Sequence, residues 1–496
     1  MSAADLPASS GRYAELYRPR YHFSPETGWL NDPNGLVYLA GEWHLFYQCN
    51  PAASTWGNVS WGHAVSADLV SWQHLPVALR PSEQLGMVFS GSVVVDRNNT
   101  SGLCAEGPCL VAVYTHAFGK DGKQKQSIAV SRDRGRTFVE YAGNPVLPNP
   151  GIAEFRDPKV LWHAPSGRWV MVLAAGDRAH LYTSPDLKAW TKTSELGPFA
   201  GLEGAWECPD LFPLPLGGVE KWVFKLDHNV GLGEPDNEGY AMVGAFDGER
   251  FVPETVPFGR RLDFGPDFYA AQSFSSDVPD GRRIWIAWRD SWQYALGTPT
   301  DPWRGSMTIP RELSLVDDGA GPILVQRPVR ELRALRGACP IASLASLDVP
   351  AGSSDALAGV EGDALEISVV VEPAGAQRAG LAVRQGEGEE TRIGYDHVHD
   401  VVYVDRSCSG DVLFAPGFGA RYQAPLALRD GGMALTVFVD RSSVEVFADD
   451  GRVVLSVNIF PSPSSVGLAP FAEGGPARLR QLEVHRLGDA AFTPVR

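Results

Sequence analysis

Along most of this chain apolar residues alternate with polar ones, and the three-to-four spacing of an amphipathic helix is scarce. Glu42–Tyr47, Ser92–Val95, Leu110–Tyr114, Trp169–Leu173, Trp222–Leu226 and Arg283–Trp288 read as short strands. Gly, Pro, Asn and Asp turns part them, as at Pro165-Ser166-Gly167. The pattern predicts an all-β protein. A loose repeat adds an architecture: SADLVSW (Ser66–Trp72), SRDRGRTF (Ser131–Phe138), SPDLKAW (Ser184–Trp190) and a weaker echo, FDGERF (Phe246–Phe251). The aspartates at 68, 133, 186 and 247 stand 65, 53 and 61 residues apart, about the length of a four-stranded sheet. Such sheets repeated around an axis make a β-propeller. A fifth unit around Leu313–Val325 would end that domain near residue 330. Chance recurrence of common hairpin residues is the competing explanation.

Val325–Leu335 (VQRPVRELRAL) reads as a connector with a short helical turn. Alternation then resumes at Ala364–Val371, Thr391–Tyr395, Val401–Val404, Ala434–Phe438, Ser443–Phe447, Arg452–Ile459 and Arg480–Val484, close-spaced strands that suit a β-sandwich. The predicted organisation is an extension over 1–20, a five-bladed β-propeller over 21–330, a linker over 331–342 and a β-sandwich over 343–496.

The chain's 496 residues suffice for two or three domains. A formal charge of −16 repels phosphate backbones, so nucleic acid is not an expected partner; a neutral sugar would not feel that field. No apolar run reaches membrane-span length, and no membrane partner is expected. Met1–Arg12 is small and polar, with Asp5 before any basic residue and no apolar stretch of the signal-peptide kind. Cytoplasmic residence is the expectation, or secretion if the start is processed or truncated. Six cysteines are too few for a disulfide scaffold, although Cys104 and Cys109 could pair across a loop.

Three acidic motifs carry the chemistry: WLNDPNG (Trp29–Gly35), FRDPK (Phe155–Lys159) and ECPD (Glu207–Asp210). Taken alone, NDPNG is what surface turns are made of. Together, the motifs set Asp32, Asp157 and Glu207 beside Pro or Gly in strand-like surroundings, and paired carboxylates are what retaining sugar hydrolysis requires. Cys208 follows Glu207 directly, so in a regular strand it faces the other way and packs. No His-Glu spacing or glycine fingerprint points to a metal or cofactor, and none is expected. GEPDNEG (Gly233–Gly239) reads as a polar loop, with calcium binding as the alternative.

These motifs, with WGHAVSADLVSW (Trp61–Trp72), FSGS (Phe89–Ser92), DFYAAQSF (Asp267–Phe274), WRGSMTIPREL (Trp303–Leu313) and VDRSSVEVFADDG (Val439–Gly451), resemble glycoside hydrolase family 32 from about Tyr21 to Val484. The resemblance implies a five-bladed propeller followed by a sandwich, and hydrolysis of terminal β-fructofuranosides in sucrose, inulin and levan. It implies Asp32 as nucleophile, Glu207 as acid/base and Asp157 as transition-state stabiliser. It further implies a pocket with Asn31, Gln48, Trp56, Phe89, Ser90, Arg156, Tyr269 and Trp292. Asp32 must be ionised to attack and Glu207 must begin protonated, so their surroundings should push the two apart in that sense. Trp288–Leu313 is similar to exo-acting fructan hydrolases, except that Arg289-Asp290-Ser291 stands where those usually carry Met-Asn-Asn; at a pocket wall this change would affect leaving-group preference. The alternatives are a fructosyltransferase on the same scaffold, an inverting arabinan-type hydrolase and a non-catalytic sugar-binding protein, which would be expected to lack one of the three acids.

Overall fold

The computed structural model describes residues 13–229, 238–255, 261–275, 278–353 and 355–494. Most of the N-terminal extension and positions 233–237 of the polar loop lie outside the described residues. Among those described, the chain forms seven sheets and three short 3-10 helices, so the fold is all-β. The helical turn expected in the connector is Arg330–Leu335.

The first five sheets follow in chain order, each an antiparallel meander with its first strand at the inner edge. Sheet I comprises Gly28–Leu39, Glu42–Asn50, Ser60–Ser66 and Trp72–Leu79; sheet II comprises Gly86–Asp96, Cys109–Phe118, Lys125–Ser131 and Val139–Glu140. Sheet III is Phe155–His163, Arg168–Ala175, Ala179–Ser184 and Thr191–Leu196; sheet IV is Ala205–Leu216, Val219–Asn229, Glu238–Phe246 and Phe251–Pro253. Sheet V is Tyr269–Ser273, Arg283–Trp288, Arg311–Asp317 and Pro322–Pro328. The first strands touch in cyclic order, sheet V returning to sheet I.

A separate apolar core fills each gap between neighbours. Val88, Val93 and Ala112 meet Phe46 and Trp61 between I and II, while Val111 and Ile128 meet Phe155 and Met171 between II and III. Val172 and Leu181 meet Phe224 and Met242 between III and IV; Phe212 and Val223 meet Trp285 and Leu315 between IV and V. Trp29 and Leu45 meet Ile286 and Trp288 where V closes on I. A sheet covered on both faces needs apolar residues on both, which is why Leu110–Tyr114 is a continuous run and not an alternation.

The repeated aspartate occupies one structural position: the turn from third to fourth strand. Asp68 accepts the backbone N–H groups of Val70 and Ser71, Asp186 those of Lys188 and Ala189, and Asp247 those of Glu249 and Arg250. Asp133 accepts from Thr137. The side chain replaces the backbone bonds the turn lacks. Sheet V does the same with Asp317, which accepts from Gly319. The disulfide considered between Cys104 and Cys109 is formed, with Cα atoms 5.3 Å apart.

Beyond the connector, two six-stranded sheets face each other across one core, Ile367, Val437 and Val446 of one meeting Leu381, Ile393 and Val404 of the other. This second unit is bound to the first by buried ions. Arg311 of sheet V reaches Glu445 at 2.6 Å and Asp263 at 3.1 Å, while His22 lies 2.7 Å from Asp440 and 2.9 Å from Glu445. The VDRSSVEVFADDG motif thus serves the junction. Arg311→Met would leave two buried carboxylates without their cation, and the expected result is a unfolding midpoint lowered by the equivalent of about 3–5 kcal/mol in urea titration. Arg478→Met, at an exposed pair with Asp348, should leave the midpoint where it is.

Two short strands tie the ring. Trp303–Arg304 runs parallel to Gly28–Trp29, and Phe492–Thr493 runs parallel to Trp72–Gln73 on the outer edge of sheet I.

Candidate active site

Every inner strand of the first five sheets is broken at the same level. In each, two residues face one across the ladder: Asn31 and Asp32 face Gln48; Phe89 and Ser90 face Thr115; Asp157 and Pro158 face Leu173. Likewise Cys208 and Pro209 face Leu226, and Ala270 and Ala271 face Ala287. These are β-bulges, which unpair backbone groups and re-aim side chains. Asp157, Cys208 and Ala270 are left-handed, with φ of +63°, +46° and +55°, a conformation that non-glycine residues hold only where neighbours enforce it. The freed backbone groups are taken up across the gaps. Asp157 donates its N–H to Thr115 Oγ1 at 3.0 Å, Cys208 donates to Asp157 Oδ2 at 3.0 Å, and Gln272 donates to Cys208 O at 3.1 Å. NDPNG therefore lies buried in a strand and is not a surface turn: the bulge absorbs the residues that turn composition favours.

The bulges bring Asp32, Asp157 and Glu207 to one cavity of about 450 Å³. Asn31, Gln48, Trp56, Phe89, Arg156 and Trp292 line it with them. Ser90 and Tyr269 stand behind, joined to the acids: Ser90 Oγ donates to Asp32 Oδ2 at 2.9 Å, and the Tyr269 hydroxyl donates to Glu207 Oε2. Gln48 Nε2 donates to the same Asp32 oxygen at 3.3 Å and to Ser90 Oγ. Asn31 is fixed between Trp29 Nε1 at 2.7 Å and Gln48 at 3.1 Å. One oxygen of Asp32 is thus held by donors, while Oδ1 is buried with no partner in the protein. Trp292 stacks on Trp29, centroids 5.9 Å apart.

The electrostatics run opposite to the expected sense. Burial and the charge of Glu207 push Asp32 above the usual carboxylate range. Burial would raise Glu207 too, but the Arg156 guanidinium and the Tyr269 hydroxyl outweigh it and hold Glu207 low. Arg156 Nη2 lies 2.7 Å from Glu207 Oε1. Asp157 is pushed up to about 7, by burial foremost and by its anionic neighbours. In the sugar-free pocket Glu207 is therefore the ionised acid and the aspartates are the groups that resist ionisation.

Two further expectations are corrected. Cys208 does not face away: its left-handed bulge turns Sγ to 3.6 Å from Asp157 Oδ2 and 3.8 Å from Asp32 Oδ2. It remains no nucleophile, because burial raises its thiol well above the usual range. Arg289 and Asp290 do not reach the pocket. Arg289 Nη1 turns to Ser442 O at 3.0 Å and Asn458 Oδ1 at 2.6 Å in the second unit, and Asp290 is buried beside it. Arg289 is held by neutral oxygens there and Asp290 is pushed up to about 8, chiefly by burial, so neither exerts a direct choice over a leaving group.

Sequence motifs missed several lining groups. Gln124 receives Arg156 Nη1 at 3.4 Å, Glu154 pairs with the same guanidinium, and Asn229 hydrogen-bonds Glu207. Phe118 and Leu296 add exposed apolar surface. Asp227 sits behind, opposite Glu207 across the ladder, and is raised to about 7 chiefly by burial. Among the described residues no His, Cys, Asp and Glu cluster is arranged to hold a metal.

Comparison with known proteins matches this geometry to a family. The model for the glycosyl hydrolases family 32 N-terminal domain covers residues 22–328, and that for the family 32 C terminal covers 331–486. A levanase of Bacillus subtilis (strain 168) is 49% identical over 493 residues, covering 97% of this chain and 72% of its own length. The extracellular exo-inulinase of Aspergillus ficuum is 39% identical over 520 residues, covering 97% of this chain and 96% of its own. The crystal structure of exo-inulinase from Aspergillus awamori matches with a TM-score of 0.90 at 37% identity, covering 96% of this chain and 99% of that one.

Proposed function

The chain belongs to glycoside hydrolase family 32, and from that premise we propose that its pocket removes single fructose units from the non-reducing ends of sucrose and fructans, with retention of configuration. The protein is a glycoside hydrolase similar to levanases and acting in the exo manner of the exo-inulinases it resembles. The observation that carries the reading is Asp32: Oδ2 pinned by Ser90 and Gln48, Oδ1 unpartnered, at the floor of a cavity shared with Glu207.

In the proposed reaction the Asp32 carboxylate attacks the anomeric carbon while Glu207 protonates the departing glycosidic oxygen. The bond to that oxygen breaks and a fructosyl–Asp32 ester forms. Glu207, now ionised, takes a proton from water, whose oxygen attacks the same carbon and frees Asp32. Two displacements restore the original configuration. Asp157 accepts sugar hydroxyls whose hydrogen bonds strengthen as the ring gains positive charge.

The sugar itself would reverse the resting electrostatics. Hydroxyls donating to Asp157 and Asp32 favour their ionised forms, and two anions beside Glu207 favour its protonation. Arg156 has Glu154 as a second partner and can yield Glu207 to the leaving group. We also propose the finer architecture: 21–330 as a five-bladed propeller, supported by the cyclic order of the cores, then a linker over 331–342 and a sandwich over 343–496. The transferase alternative is not favoured, since the similar proteins carry hydrolase names.

Incubation with sucrose, inulin and levan separately, with early product sizing, tests the reading. Fructose as the first small product from each polymer is expected, with glucose and fructose from sucrose. A ladder of oligosaccharides before free fructose would overturn it.

A further inference from the structure

We propose that Phe118 is the platform for the third sugar ring of a bound fructan, and so a residue that separates fructans from sucrose. The proposal rests on the fructosidase reading above. Phe118 lines the same cavity as Asp32, yet its side chain is 58% exposed. A single exposed apolar residue ordinarily needs no explanation. Its backbone sets this one apart: φ is +58°, the left-handed region, where a bulky residue sits only under constraint.

The constraint comes from glycines. Phe118 pairs with Gly86, whose φ is +95° and whose added Cβ would lie 2.0 Å from Ala117 O. An added Cβ at Gly119 would lie 2.6 Å from Gln84 O. Only residues without side chains let the two strand ends close on each other here, and that closure fixes the direction of the Phe118 ring. Such a strained residue gains nothing in the core, because the ring is mostly outside it. Strain of this kind gathers at binding sites.

The ring continues a wall that starts at the nucleophile. Ser90, bonded to Asp32, is followed outward by Phe89, whose ring meets Phe118 edge-on at 5.6 Å and Trp56 edge-on at 6.3 Å. Phe118 stands outside Phe89 on this wall, and Phe89 is itself next to Ser90, the partner of Asp32, so a sugar ring against Phe118 lies beyond the rings held nearest the nucleophile. Leu296, 48% exposed, is the other apolar group at the mouth. Aromatic faces suit the CH-rich side of a sugar, whichever fructan linkage presents it.

Steady-state kinetics of Phe118→Ala, Phe118→Leu and Phe118→Trp on sucrose, 1-kestose and inulin test the assignment. Alanine and leucine, which lack a ring, should each raise KM for 1-kestose and inulin by about three- to tenfold, the worth of one aromatic contact. Turnover should hold, and KM for sucrose should rise less than for either fructan, because sucrose ends at its second ring. Tryptophan should keep the wild-type preference. An equal rise on sucrose, or no rise on 1-kestose and inulin, would overturn the proposal while leaving the fructosidase reading intact. Failure of the unaltered enzyme to release fructose from any of the three would overturn that reading instead.

Discussion

Asp32→Asn should leave a folded protein that binds fructosides and cleaves none, with initial rates on sucrose and on an aryl β-fructofuranoside both down by on the order of 10⁴-fold or more. The amide keeps the acceptor that Ser90 and Gln48 hold, so the pocket should survive. It loses the carboxylate charge and one of the two oxygens, and with them the nucleophile that forms the covalent bond. A better leaving group cannot compensate, because both substrates need that bond. Burial and Glu207 oppose ionisation of Asp32, so at neutral pH its carboxyl costs the fold stability that a neutral amide does not, and the melting temperature should rise. Residual activity within tenfold of wild type on either substrate would sink the assignment.

Glu207→Gln should divide the same two substrates. General acid assistance is worth about 10²–10⁴-fold, and a phenolate leaves with little of it. Sucrose hydrolysis should fall by that factor, whereas the aryl fructoside should still release its phenol in a burst. The ester on Asp32 would then persist, since no base remains to activate water. Azide, which needs no deprotonation, should restore turnover on the aryl substrate and yield a fructosyl azide of retained configuration. Equal loss on both substrates, with no burst, would show that Glu207 is not the proton donor.

Strands and acids were legible in the sequence because each is a local signal. Arg283–Trp288 was read to the residue, and the aspartate turns announced the four-strand period because one Asp side chain completes one turn. The bulges were not legible. Each depends on one extra residue opposite a partner strand, and nothing in ECPD says that Cys208 turns left-handed toward Asp32 and Asp157. Arg289 and Asp290 misled for a related reason: a charge pair beside a pocket motif says nothing of the Asn458 that answers it from a distant strand. The resting state of Glu207 needed Arg156, Tyr269 and Asn229 in one place, and three different sheets supply them. Gln124 comes from the loop between the second and third strands of sheet II and Glu154 from the segment just before sheet III, places where polar residues are too common to stand out.

The strand Phe492–Thr493 on the rim of sheet I sets a timetable for synthesis. Sheet I leaves the ribosome first, but Trp72–Gln73 waits for a partner about 420 residues behind it, the separation of Ser71 and Ala491. Its inner edge waits too, for Trp303–Arg304. At about 5–20 residues per second, both edges stay open for tens of seconds, each a row of unpaired backbone groups able to recruit a neighbouring nascent chain. The vulnerable species is therefore a half-made chain and not the finished enzyme. Expression at high ribosome density should favour aggregates seeded by residues 28–79, and a chaperone that shields that segment should act before the second unit exists.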